Sequence, residues 1–197
     1  FLPPSEGGPG ESYSATLAHV RQTLDELDER FPQLAGYEAQ LEGLVFFQGW
    51  NDYVDREQRD EQYASYTRRL AAMIRDLRDA LDDPELPFII GQMGVGGAEG
   101  VGAFHAAQAA VVDQPQMHLV RVVPTAAHYD MEAHALYEAD VWKGPEKDRF
   151  YRVASDRPYH YLGSGKTMYL IGEAFGRVML ELVDQRRAAG DRDPVRP

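Results

Sequence analysis

An α/β fold built around a parallel sheet is predicted by two features of the chain and by their order. Three short apolar runs, Leu44 to Phe47, Leu86 to Met93 and Leu119 to Val123, are rich in β-branched and aromatic residues and are bounded by Gly, Pro or polar groups, as buried strands are. The segments between them carry helical patterning. Strand, helix, strand, helix, strand is the order of βαβ units, and the handedness of crossovers limits how such units connect.

Residues Phe1 to Gly10 are rich in Pro and Gly without periodicity and read as a loop or rim. Tyr13, Leu17, Val20, Leu24, Leu27 and Phe31 recur at helical spacing until Pro32, which predicts one surface helix with a single buried stripe. Leu44 to Phe47 form the first strand, a buried one. It runs through Gln48 and Gly49 into Trp50, Asn51 and Asp52, and the carboxyl ends of strands are where open α/β sheets place their ligands. Tyr63, Tyr66, Leu70, Ile74, Leu77 and Leu81 then mark an amphipathic helix that Asp83-Pro84 ends.

Leu86 to Met93 is the second strand, Gly94 to Gly102 a flexible loop, Ala103 to Val112 an alanine-rich helix, and Leu119 to Val123 the third strand. Past Pro124 the pattern is irregular, with a short helix over His128 to Tyr137 and loop from Lys143 to Tyr161. The last helix buries Ile171, Ala174, Phe175, Val178, Met179, Leu182 and Val183. No internal repeat is present, so residues 1–187 read as one unit and 188–197 as a polar, frayed tail.

Composition narrows the function. The chain has 197 residues, 44% of them hydrophobic, enough for a core of its own. A net charge of -12 repels phosphate backbones and anionic lipid, so neither nucleic acid nor a membrane surface is an expected partner. With no cysteine, disulfides, thiolate catalysis and cysteine-held metals are excluded and the redox compartment is left open. No apolar run approaches the roughly 18 residues of a membrane span. The chain opens on Phe1 without a charged-then-apolar leader and is expected to begin inside a longer one.

Several motifs resemble ligand sites and resolve into plainer features. Gly163 to Thr167 opens a helix like a phosphate loop, but His160 stands where the first glycine belongs and Asp156-Arg157-Pro158 where a strand should lead in, so Ser164 reads as a helix cap. In the run from Gly94 to Gly100, Glu99 occupies the place of the third glycine of a dinucleotide fingerprint and would oppose a pyrophosphate, which leaves a pocket-lining loop. His128, Asp130, Glu132 and His134 match no zinc spacing, and on a helix only Asp130 and His134 share a face, so a polar segment is the better reading. No cofactor or metal is expected. His160, close to Asp156, Tyr159 and Tyr161 on a late loop, suits a general base reaching toward the strand ends, although a helix-entry histidine satisfied by a local hydrogen bond has the same surroundings.

Gly49-Trp50-Asn51-Asp52 resembles the Gly-x-Asn-Asp block of the SGNH (GDSL-like) hydrolases. Taken with Phe46-Phe47-Gln48, Leu86-Pro87-Phe88-Ile89-Ile90-Gly91 and Tyr159-His160-Tyr161-Leu162-Gly163-Ser164-Gly165-Lys166-Thr167, the chain is similar to the sialic-acid-specific acetylesterase domain, that of carbohydrate esterase family six, from its first residues to about Leu182. The resemblance implies a three-layer α/β/α, flavodoxin-like fold and ester hydrolysis by a serine, a histidine base with an acid partner, and an oxyanion hole. His160 matches the base and Asn51 the oxyanion donor. Gln48, Gly49, Asp52 and Tyr159 fall at positions expected to shape the substrate pocket.

The departures are specific. The family's Gly-Gln-Ser-Asn nucleophile segment and second-block glycine are absent, and the acid usually found three residues before the histidine is replaced by Arg157. Asp156 is the first candidate for that acid and Asp130 the second. Of Ser5, Ser12, Ser14, Ser65, Ser155 and Ser164, none follows a strand in a strained turn. The resemblance therefore implies the C-terminal portion of such a domain, lacking its first strands and inactive alone, with Leu44 to Phe47 as an unpaired edge. The expected function is removal of acetyl groups from sugars such as sialic acid or xylan by the intact protein, which family habit would place outside the cell or in the periplasm. Its rivals are a catalytically incomplete module that binds glycan or a partner chain, and a nucleotide-dependent enzyme using Gly165-Lys166-Thr167.

Overall fold

The computed structural model describes residues 1–55, 63–97 and 102–190. In chain order these form α1 (Glu11–Asp25), α2 (Leu27–Arg30), β1 (Leu44–Phe46), α3 (Trp50–Val54), α4 (Ala64–Ala80), β2 (Phe88–Gln92), α5 (Gly102–Ala109), β3 (Val120–Pro124), α6 (Met131–Glu138), α7 (Lys147–Phe150) and α8 (Gly165–Gly190). The strands make one parallel sheet in the order β1-β2-β3, with Leu44 opposite Phe88 and Phe88 opposite Val120.

Strand alternation puts helices on both faces of that sheet. Phe88 and Ile90 turn toward α4 and α5, where they join Tyr66, Leu70, Ile74 and Phe104 in the largest core cluster. Ile89 turns the other way, onto Leu182 and Phe175 of α8. Phe88, Ile89 and Ile90 are all at most 1% exposed, and burying each side chain stabilises the fold by about 1.5–3 kcal/mol. The predicted α/β class and parallel sheet are both present. A third cluster, Tyr129, Phe150, Tyr161, Leu162 and Ile171, lies beyond the carboxyl ends of the strands. Arg78, only 4% exposed, ties the entries of β2 and β3 together by donating to the carbonyls of Leu86, Gln116 and His118.

Four local expectations need correction. The first helix is broken at Glu26, and of its stripe only Tyr13 is buried; Leu24 and Phe31 are 37% and 44% exposed. Its partner α4 ends at Ala80, whose carbonyl accepts from Arg21, so the stripe outruns the surface it packs on. The first strand is half-buried, with Val45 47% exposed, because among the described residues β1 pairs with β2 alone. The Lys143 to Tyr161 region holds a helical turn, α7, anchored by the fully buried Phe150. The last helix continues through Gly190, so Ala188 to Gly190 are helical rather than frayed, and 191–197 lie outside the described residues. Among the described residues no helix is long and apolar enough to cross a membrane.

Candidate active site

The end of β1 is shaped by close packing on both faces. Phe47 stacks edge-on against Phe175 and lies 5.6 Å from the Tyr161 ring, and this needs a glycine opposite: a Cβ on Gly91 would fall 2.4 Å from Phe47. Two residues later a Cβ on Gly49 would meet the Phe104 ring at 2.9 Å, so the chain turns tightly over α5 into α3. That turn sets Trp50 and Asn51 at the rim, with Asn51 exposed in the first turn of α3. Beneath it the fully buried Gln108 accepts from Met93 N (3.0 Å) and donates to the Gly91 carbonyl (3.4 Å), fixing the end of β2.

His160 is presented by unusual backbone. His160, Tyr161, Leu162 and Gly163 have φ of 51°, 55°, 58° and 60°, a full left-handed turn, which costs a non-glycine residue roughly 1–2 kcal/mol each. Burial and hydrogen bonds offset that cost. The Tyr161 hydroxyl accepts from Gly94 N (3.0 Å) and lies 3.3 Å from Thr125 Oγ1, which itself donates to the Gln92 carbonyl, so the turn is bolted to the ends of β2 and β3. Leu162 is buried, and its carbonyl accepts from both Ser155 N and Asp156 N. Gly163 leaves no room for a side chain, since a Cβ there would lie 2.1 Å from Ser155 Oγ.

The imidazole of His160 stands out of this turn, with 80% of its side chain exposed. Its Nδ1 donates to Asp156 Oδ2 at 2.5 Å, and Asp156 Oδ1 accepts from Arg157 N at 2.7 Å. The bond from His160, then that from Arg157, holds the Asp156 carboxyl below the usual carboxylate range. With Nδ1 engaged, Nε2 is the nitrogen free to take a proton. Gln48, Gly49, Asn51, Tyr159 and His160 all line one cleft of about 630 Å³, walled otherwise by aromatic rings that include Trp50, Tyr129 and Tyr137. The cleft thus brings a carboxylate-paired imidazole and a side-chain amide to one apolar space at the carboxyl end of a parallel sheet.

A family model for the carbohydrate esterases described as sialic acid-specific acetylesterase matches residues 6–146, well over half of the chain. The chain belongs to that acetylesterase family. No curated protein and no solved structure matches it. The matched part of this acetylesterase-family chain includes Gln48 to Asp52 and both crossover helices, and it ends before the turn that carries His160.

Not every residue singled out from sequence reaches the cleft. Asp52 lies beside it, half-buried, hydrogen-bonded to Gln48, with its carboxyl pushed up by burial. Asp130, the second candidate acid, is 4% exposed and turned inward: it caps α6 by accepting from Glu132 N and Ala133 N, and it accepts from Ser164 Oγ at 3.0 Å. Ser164 in turn accepts from Thr167 N, the cap expected of it, and Lys166 reaches Asp130 at 3.9 Å. Asp130 thus joins the starts of α6 and α8. Asp130→Ala is expected to lower stability by about 2 kcal/mol or more, the loss of a cap plus an unsatisfied hydroxyl, read as a fall in Tm; an unchanged Tm would contradict the structural role.

Sequence reasoning set His134 aside with its polar segment and missed Tyr137. They sit three residues apart on one face of α6 and line the cleft, His134 with Nδ1 3.4 Å from the Tyr129 hydroxyl. Their spacing announces a shared face, but nothing in it says that the face meets the strand ends. Val95 and Gly96 of the glycine-rich loop also line the cleft, while residues 98–101 of that loop, Glu99 among them, lie outside the described residues. Among the described residues no group of three His, Asp or Glu side chains could hold a metal ion.

Proposed function

We propose that this chain forms most of the catalytic domain of an exported O-acetylesterase that removes acetyl groups from sugars such as sialic acid or xylan. The observation that carries the reading is the meeting of Asn51 with an Asp156-oriented His160 in one cleft of a chain from the acetylesterase family. His160 Nε2 takes the proton of a serine hydroxyl as the oxygen attacks the acetyl carbonyl. The Asn51 amide donates to the oxyanion that forms. Collapse expels the sugar hydroxyl, which takes its proton from the imidazolium, and water releases acetate by the same steps in reverse roles. Asp156 holds the imidazole in the required tautomer and stabilises its charged form.

The serine of this scheme is assigned to a strand outside these 197 residues. None of the six serines, Ser5, Ser12, Ser14, Ser65, Ser155 and Ser164, lines the cleft; Ser155 Oγ donates to the Gly163 carbonyl and Ser164 Oγ to Asp130. Among the described residues β1 pairs on one side only, and its other edge is the surface to which we assign such a strand. Acetate release from O-acetylated sialic acid and from acetylated xylan tests both parts. The protein extended to include that strand is expected to release acetate and the present chain to release none. Equal release by the present chain would overturn the placement of the serine, and an extended protein that binds acetylated sugar without releasing acetate would make the domain a binding module.

A further inference from the structure

His160 and Asp156 are too exposed for burial to hold them: 80% and 38% of their side chains face solvent. The left-handed turn fixes the backbone of His160 and, through the Leu162 carbonyl, the backbone N–H of Asp156, which leaves the chain just beyond Asp156 in need of an anchor of its own. Arg157 provides one. Its guanidinium lies 3.9 Å from the centroid of the Trp142 ring and 5.9 Å from that of Tyr151, within the reach of cation–π attraction, while its backbone N–H holds Asp156 Oδ1. Trp142 in turn lies parallel to Tyr137, with 7° between the rings, and Tyr137 lines the cleft on α6. A continuous run of contacts therefore joins the wall of the cleft to the segment bearing the carboxylate.

We propose that Arg157 is a positioning residue: stacked on Trp142, it locks the segment that aims Asp156 at His160. Arginine suits the task because its planar cation lies flat on an indole and keeps its charge at every working pH. The inference rests on the reading of His160 as the base. Its test uses the protein extended to include the nucleophile strand, with Arg157→Met, Arg157→Lys and Trp142→Leu, measuring kcat and KM for acetate release and the titration of Asp156 by carbon-13 NMR.

Arg157→Met is expected to lower kcat about tenfold with KM within about twofold, because a loosened carboxylate misorients the base without touching bound sugar. Arg157→Lys keeps a cation within reach of the ring but loses the flat guanidinium, and is expected to fall between the wild type and Arg157→Met. In Trp142→Leu the Asp156 titration is expected to move up toward the ordinary carboxylate range although the Arg157 charge is still present, which a purely electrostatic role would not produce. Wild-type kcat in Arg157→Met, equal losses in the Met and Lys variants, or an unmoved Asp156 titration in a folded Trp142→Leu would each overturn the proposal. Arg157 is exposed, so its variants report even if loss of the half-buried Trp142 ring prevents folding. Full activity in His160→Asn would instead remove the underlying assignment of the base, a different failure.

Discussion

Replacing His160 by asparagine or alanine in the protein extended to include the proposed nucleophile strand is expected to lower kcat for acetyl ester hydrolysis by about 10³-fold, with KM within about twofold. General acid–base groups contribute roughly 10²–10⁴-fold, and in the proposed mechanism one imidazole serves both the attack and the expulsion of the sugar. Asparagine is the sharper replacement, because it tolerates the left-handed backbone that His160 adopts and so separates loss of the base from strain in the turn. The fold should be indifferent: the side chain is 80% exposed, and such substitutions usually stay within about 0.5 kcal/mol. Retained turnover in a folded His160→Asn would remove His160 from the mechanism.

The same variant reports on Asp156. Its carboxyl is held low chiefly by the His160 hydrogen bond, so its contribution to the folded state is fully present above the ordinary carboxylate range and is lost only as pH falls through the lowered value. In the wild-type protein the carboxylate therefore stays ionised through neutral and mildly acidic conditions. In His160→Asn its titration should return toward the ordinary range.

The sheet was legible because its strands are short apolar runs bounded by breakers; all three were placed, with bounds that differ by a residue or two. Helix α4 was legible for the complementary reason, a stripe of Tyr66, Leu70, Ile74 and Leu77 that meets a surface long enough to cover it. Helix α1 also carries a stripe at helical spacing and leaves most of it uncovered, because periodicity describes a face and not the length of its partner. The pairing of Asp156 with His160 was within reach of local sequence, four residues apart. What holds it was not, since a left-handed turn with only one glycine has no compositional signature, and Arg157 finds its ring contact through Trp142, fifteen residues earlier. The bonds of Asp130, the second candidate acid, were out of reach for a related reason: only the fold shows that its carboxylate caps α6 and also receives Ser164.

Asn51→Ala is expected to lower kcat by about 10²–10³-fold while the affinity for acetylated sugar, read by calorimetry on the same protein, changes little. The distinction follows from where charge develops. In the ground state the acetyl oxygen is a weak acceptor that water can satisfy equally well, whereas in the tetrahedral intermediate it carries a full negative charge that the cleft must meet with a fixed donor. Asn51 is suited to that by its support rather than by burial: it lies in the first turn of α3, and the preceding Gly49 lies so close to Phe104 that a side chain there would meet the ring. Alanine at position 51 is a better helix former and leaves that support intact, so Tm should hold or rise slightly. Gly49→Ala should behave in the opposite way, losing stability and turnover together, because its new methyl would collide with the Phe104 ring at 2.9 Å. A large loss of sugar affinity in Asn51→Ala, with kcat spared, would place the amide on the ground-state sugar and take it out of the oxyanion hole.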